Sequence, residues 1–274
     1  MNIDLKILGI ASAMPISDKN PSAQVLSVHG RLFLIDCGEG TQKSMRRAHL
    51  SFLKVEAVFL SHIHGDHVFG IFGLLSSMSM LGRTQDLHIY APENFGPILK
   101  FYLSYWGDVS SFTVVHHPLK MKAPEVVHVS KHVKVSAFPL RHKIDCFGFR
   151  FDEIPSSRRV PDGEGGFKRV ELPAVSYAYC SDTEPFEELP QWVAGVNVLY
   201  HEATYTSRYE DKARKYFHST AAEAARCALA AGAGKLLLGH YSSRVRDIKE
   251  FEREAGAIFP ESYACDEGDE IAIG

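Results

Sequence analysis

The stretch VEAVFLSHIHGDH, residues 55–67, decides how this chain is read. Val55, Val58, Phe59 and Leu60 form a short apolar run, the pattern of a strand buried in a core. The run ends at Ser61 and opens at once onto His62, His64, Asp66 and His67. Imidazole and carboxylate groups suit zinc and similar transition ions. Four of them in six residues cannot all point one way. His62 and His64 alternate to one side, and Asp66 and His67 follow after Gly65 lets the backbone turn. The geometry predicts two adjacent metals sharing one loop, with further ligands arriving from elsewhere.

The candidates lie at other strand ends. KVSAFPLRH (134–142) alternates like a strand and ends at His142. SYAYCSDT (176–183) reaches Asp182, VNVLYHEAT (196–204) carries His201, and KLLLGHYSSR (235–244) carries His240. In layered α/β proteins, functional groups gather where strands end at their carboxyl edge. A single strand-terminal histidine is more often structural than a ligand; the repetition makes the case for a dinuclear site. His62, His64 and His142 would complete one ion and Asp66, His67 and His240 the other. Asp182, with two carboxylate oxygens, is the natural bridge. Zn2+, Mn2+ and Fe2+ all accept such ligands. A pair of ions so held activates water for hydrolysis of a phosphodiester, an ester or a lactam. The ligands do not choose among these.

Around the site, residues 3–10 read as an opening strand, and 23–28 with 31–36 as a hairpin. The run DCGEGTQ (36–42) reads as a strand-to-helix turn with Thr41 capping a basic helix. Helices are expected over 68–81 and 92–106, after the Thr220-Ala-Ala-Glu223 capping box, and over 244–256. Two sheets covered outside by helices follow. The loose segment is 155–169, rich in Gly, Pro and charge. His116, His117, His128 and His132 are given no role.

Composition fits a soluble protein. The chain has 274 residues, 45% hydrophobic and 23% charged, with a formal net charge of −3. An anionic substrate must therefore meet local basic patches rather than a global field. Five scattered cysteines without a CxxC pair argue for reduced thiols. No signal-peptide pattern or membrane-spanning run is seen, so a cytoplasmic location is expected.

The chain resembles the metallo-β-lactamase superfamily through His62-Ile-His64-Gly-Asp66-His67. Within it, the chain is similar to the ribonuclease Z family through DCGEGTQ (36–42), HEAT (201–204), HST (218–220) and HYSSR (240–244). The resemblance implies an αββα sandwich spanning residues 1–274 as a single domain. It also implies two Zn2+ ions, a homodimer, and removal of the 3′ trailer from precursor tRNA to leave a 3′-hydroxyl. Metal ligation falls on His62, His64, Asp66, His67, His142, Asp182 and His240. Asp66 matches a general base, His218 a group at the scissile phosphate or leaving oxygen, and Arg244 a phosphate clamp. His201 and Glu202 would support them, with His201 a second candidate for proton transfer. Two departures stand out. The loop matching the family's PxKxRN motif reads Pro15-Ile16-Ser17-Asp18-Lys19-Asn20, and 155–169 is a short loop where many relatives carry a long tRNA-gripping arm. Lys143, Arg158, Arg159 and Lys168 remain for phosphate contact. A hydrolase of small phosphodiesters, esters or lactones is the alternative, and a non-enzymatic scaffold is disfavoured by the complete ligand set.

Overall fold

A computed structural model describes residues 3–13, 19–107, 111–161, 163 and 166–273. The β4 strand, Val55–Phe59, lies inside a sheet and is buried on both faces, which is why its sequence runs apolar. Ala57 and Phe59 face the space between two sheets, and Val55 and Val58 face a layer of helices. Its neighbour β3 (Arg31–Ile35) divides the same way, with Phe33 and Ile35 inward and Leu32 and Leu34 outward.

The first sheet also holds β1 (Ile3–Gly9), β2 (Ala23–Val28), β5 (Leu87–Pro92), β6 (Val114–Leu119) and β16 (Glu270–Ala272), in the order β16-β1-β2-β3-β4-β5-β6. The second is built from β7 (Glu125–Val129), β8 (Val133–Leu140), β9 (Cys146–Glu153), β12 (Ser176–Cys180), β13 (Val198–Glu202), β14 (Lys235–Gly239) and β15 (Ser262–Ala264), in the order β15-β14-β13-β12-β9-β8-β7. Each sheet is parallel in one half and antiparallel in the other. Aromatic rings join them: Phe59 meets Phe149 and Phe151 edge-on, each with ring centroids 5.3 Å apart.

Helices α1 (Thr41–Arg47), α3 (Ile71–Met80) and α4 (Phe95–Trp106) cover the first sheet, and α5 (Leu189–Trp192), α7 (Ala221–Ala231) and α8 (Lys249–Gly256) the second. Thr220 forms the expected capping box with Glu223 at the start of α7. The αββα expectation matches this architecture. All five cysteines are unpaired. Among the described residues no helix is long and apolar enough to cross a membrane.

Three local expectations need correction. Thr41 is the first residue of α1, Gly40 being the N-cap, and its hydroxyl donates to the Gly38 carbonyl instead. The helix expected over 244–256 begins only at Lys249; Arg244 sits on a turn, stabilised by its N–H donating to Ser242 Oγ. The segment 155–169 is not a loose loop. Strands β10 (Ser157–Pro161) and β11 (Phe167–Glu171) pair antiparallel as a small hairpin outside both sheets. Charged and glycine-rich composition hid it, because neither face is buried and no apolar alternation was needed. The pre-loop residues Pro15, Ile16, Ser17 and Asp18, and the Arg158 side chain, lie outside the described residues.

Candidate metal centre

The site forms at the carboxyl edge shared by β3, β4, β8, β12, β13 and β14, where Asp36, the histidine loop, His142, Asp182, Glu202 and His240 emerge. Loop 36–40 packs backbone to backbone against the histidine loop, with Cys37 N–H donating to the His67 carbonyl at 2.8 Å. Gly38 is required there, since a Cβ would lie 2.5 Å from the Asp66 carbonyl oxygen. The short helix α2 (Gly65–Val68) then turns Asp66 and His67 away from His62 and His64.

Two groups of donor atoms result. His62 Nε2 lies 3.0 Å from His64 Nδ1, and His142 Nε2 lies 3.4 Å from that same atom. Asp182 Oδ2 is 3.5 Å from His62 Nε2 and 3.8 Å from His142 Nε2. In the second group His67 Nε2 and His240 Nε2 are 3.2 Å apart, and Asp66 Oδ2 is 3.6 Å and 3.5 Å from them. Asp182 Oδ1 faces this group, 3.3 Å from His240 Nε2 and 3.6 Å from His67 Nε2. All seven metal-ligating candidates are brought together in the two groups expected, and His218 joins Asp182 and His240 in a third, overlapping group.

The donor chemistry tests whether cations fit. His67 Nδ1 donates to Asp36 Oδ2 at 2.7 Å, His142 Nδ1 to the Phe217 carbonyl at 3.0 Å, and His240 Nδ1 to Thr204 Oγ1 at 2.9 Å. A neutral ring holding its proton on Nδ1 presents a lone pair from Nε2. Lone pairs therefore converge at van der Waals range or closer. Asp182 Oδ1, buried, has no hydrogen-bond partner. Buried acceptors so arranged are unfavourable without a positive charge between them. Tetrahedral sites with metal–nitrogen bonds of about 2.0–2.1 Å place neighbouring donors roughly 3.3 Å apart. The residues fit divalent metal, with the Asp182 carboxylate lying between the two groups of donors.

Outer groups fix this arrangement. Asp36, fully buried, also accepts from Ser61 N–H (2.7 Å), Ser61 Oγ (2.9 Å) and Tyr179 Oη (2.6 Å). Burial opposes a charged ring at His67, but Asp66, Asp36 and Asp182 outweigh it and raise the group to about 10, a second proton on Nε2 that a bound cation would displace. Glu202 is the second hub. It accepts from the backbone N–H groups of Thr183, Thr204 and Ser219, from Thr204 Oγ1, and from His218 Nδ1 at 3.0 Å. That contact commits His218 Nδ1 and leaves Nε2 for the cleft. Burial lowers His218, while Glu202 and Asp182 raise it further, to about 9.

His201 is not brought to the cleft. Strand alternation turns Glu202 toward the candidate ligands and His201 away, where its Nδ1 donates to the Glu202 carbonyl at 2.7 Å. Its expected part in proton transfer is therefore withdrawn. Asp36, Ser61 and Thr204 escaped the sequence reading because short polar residues near strand ends are common; DCGEGTQ contains Asp36 and HEAT contains Thr204, while nothing marked Ser61 beyond its place before the histidines. Lys19, in the loop matching PxKxRN, pairs with Asp266, and Asn20 is clamped by Glu267 through its N–H (2.8 Å) and Nδ2 (2.6 Å).

Above the ligands opens a cleft of about 880 Å³. Lys143, Lys215 and Arg244 line it, with Phe69, Tyr216 and Phe217 as its outer aromatic residues. A cation-lined, aromatic-edged groove over a hydrolytic centre suits a nucleic-acid strand.

Comparison with known proteins agrees. Residues 31–241 match the family model of the beta-lactamase superfamily domain. A ribonuclease Z of Bacteroides thetaiotaomicron is 35% identical, covering 98% of this chain and 95% of that protein. The chain belongs to the ribonuclease Z family. Another member, from Cytophaga hutchinsonii, is 37% identical across 100% of this chain and 97% of its own length. The crystal structure of human tRNase Z, short form, superposes with a TM-score of 0.80 at 26% identity, covering 99% of each chain. The match to these relatives spans nearly the whole chain, not the superfamily motif alone.

Proposed function

We propose that this protein is a metal-dependent endoribonuclease that removes the 3′ trailer from precursor tRNA, acting as one domain in the cytoplasm. The observation that carries this reading is the bridging position of Asp182 below a basic, aromatic-edged cleft, in a chain of the ribonuclease Z family. Two ions, zinc in our reading, would be held by His62, His64 and His142 and by Asp66, His67 and His240. When bound they supply an acidified water and neutralise phosphate charge.

The chain's own groups do the rest. Asp66, oriented by the Ala13 N–H at 2.7 Å, accepts the proton of the attacking water. Arg244 binds the non-bridging phosphate oxygens, whose charge grows in the transition state. His218, held by Glu202, gives its Nε2 proton to the departing ribose 3′ oxygen. The β10–β11 hairpin, with Arg159, Lys168 and Arg169 exposed, serves as a short arm on the tRNA backbone. A second copy of the chain docks on the apolar face of α3 and α4, where Met80, Phe101, Tyr105 and Trp106 are exposed.

The test is incubation with a precursor tRNA carrying a 3′ trailer, followed by mapping of both product ends. A cut beside the discriminator base, leaving a 3′-hydroxyl, supports the reading. No cleavage, together with turnover of bis(p-nitrophenyl) phosphate, would move the assignment to a small-phosphodiester hydrolase.

A further inference from the structure

Phe217 occupies a position that ordinary packing does not explain. It follows α6 (Glu210–Tyr216) with a left-handed backbone, φ 58°. Helices commonly end there on glycine, or on asparagine, because a Cβ is disfavoured in that conformation. A phenylalanine is costlier still unless its ring is well buried, yet this residue is 37% exposed. Its backbone task, accepting from His142 Nδ1, needs only a carbonyl that any residue provides. A left-handed backbone at a part-exposed residue that lines the cleft points to a role for the ring itself.

The surroundings identify the ligand. Phe217 lines the cleft directly before His218 in sequence, with Lys215 and Tyr216 from the same helix end. Alternating cations and exposed aromatics are how proteins hold single-stranded nucleotides, the cations on phosphates and the rings on base faces. Polarity follows from His218. The 3′ oxygen that takes its proton belongs to the nucleotide on the 5′ side of the cut. The ring beside His218 therefore meets that nucleotide's base.

We propose that Phe217 is a stacking platform for the nucleobase on the 5′ side of the scissile phosphate, an inference that rests on the RNA-processing reading above. Stacking accepts every base, so the platform positions the last retained nucleotide whatever its identity.

The experiment uses the full chain and a product-like RNA minihelix whose unpaired 3′ nucleotide is 2-aminopurine, a base whose fluorescence is quenched by stacking. The native protein and Phe217→Trp should quench it. Phe217→Gly should lose the quenching and bind about tenfold more weakly. Glycine suits the left-handed backbone, so this variant should melt within a few degrees of the native protein. Native quenching and affinity in Phe217→Gly would overturn the proposal, as would a large fall in its melting temperature, which would make the ring a packing element. A native protein that neither binds the minihelix nor cleaves a trailered precursor would sink the RNA reading, and the platform with it. Cleavage by the native protein with unchanged quenching in Phe217→Gly would sink the platform alone.

Discussion

Asp36 and Glu202 show how single residues govern this site without facing the substrate. Asp36 receives four hydrogen bonds and fixes the His67 ring; Glu202 receives five and fixes His218 directly and His240 through Thr204. Partners of metal-bound histidines typically tune affinity by 10–100-fold. Asp36→Asn should therefore weaken binding of the second ion by about that factor, read by competition with a chromophoric chelator; unchanged affinity would contradict its orienting role. His218→Ala should slow trailer cleavage by about 10²–10⁴-fold with metal content intact, the usual range for a lost general acid. Unchanged turnover would remove His218 from the chemistry. The convergence of the candidate ligands was legible in the sequence because His, Asp and His recur at strand ends, a pattern that survives without a fold. The Glu202/His201 pair was not, because neighbouring strand residues point oppositely and only the register of β13 says which faces the metals.

Elements were legible where they bury something. The β4 run, the alternation of β8 and the capping box of α7 all mark surfaces that must leave water, and each lies where the pattern put it. Replacing Thr220 with Ala should cost about 1 kcal/mol of stability, measured by urea unfolding, because the Glu223 N–H loses its side-chain acceptor and the Glu223 carboxylate its hydroxyl donor. The β10–β11 hairpin buries neither face, so no periodicity announced it. Its function is electrostatic in our account. Arg159 and Arg169 sit directly opposite each other, a pairing that is unfavourable unless an anion lies across it. Shortening the hairpin to a tight turn should weaken precursor tRNA binding and flatten its dependence on salt concentration. Small phosphodiester turnover should be retained; an unaltered salt slope would leave the hairpin without a part in RNA binding.

At the scale of the molecule, the metal centre is a seam between the two sheets. His62, His64, Asp66 and His67 come from the first, and His142, Asp182 and His240 from the second. Metal bound there would tie together halves that otherwise hold by their shared apolar core. Removing the metal with a chelator should lower the melting temperature, and refilling should restore it, since a ligand specific to the folded state stabilises it by mass action. Among the described residues, Asp182 places one carboxylate oxygen toward each donor group. Metal content and trailer cleavage should therefore be measured on the same preparation of Asp182→Ala. The expected result is loss of both ions and of cleavage together. A variant that keeps two tightly bound metals, or cuts the precursor at the native rate, would contradict it.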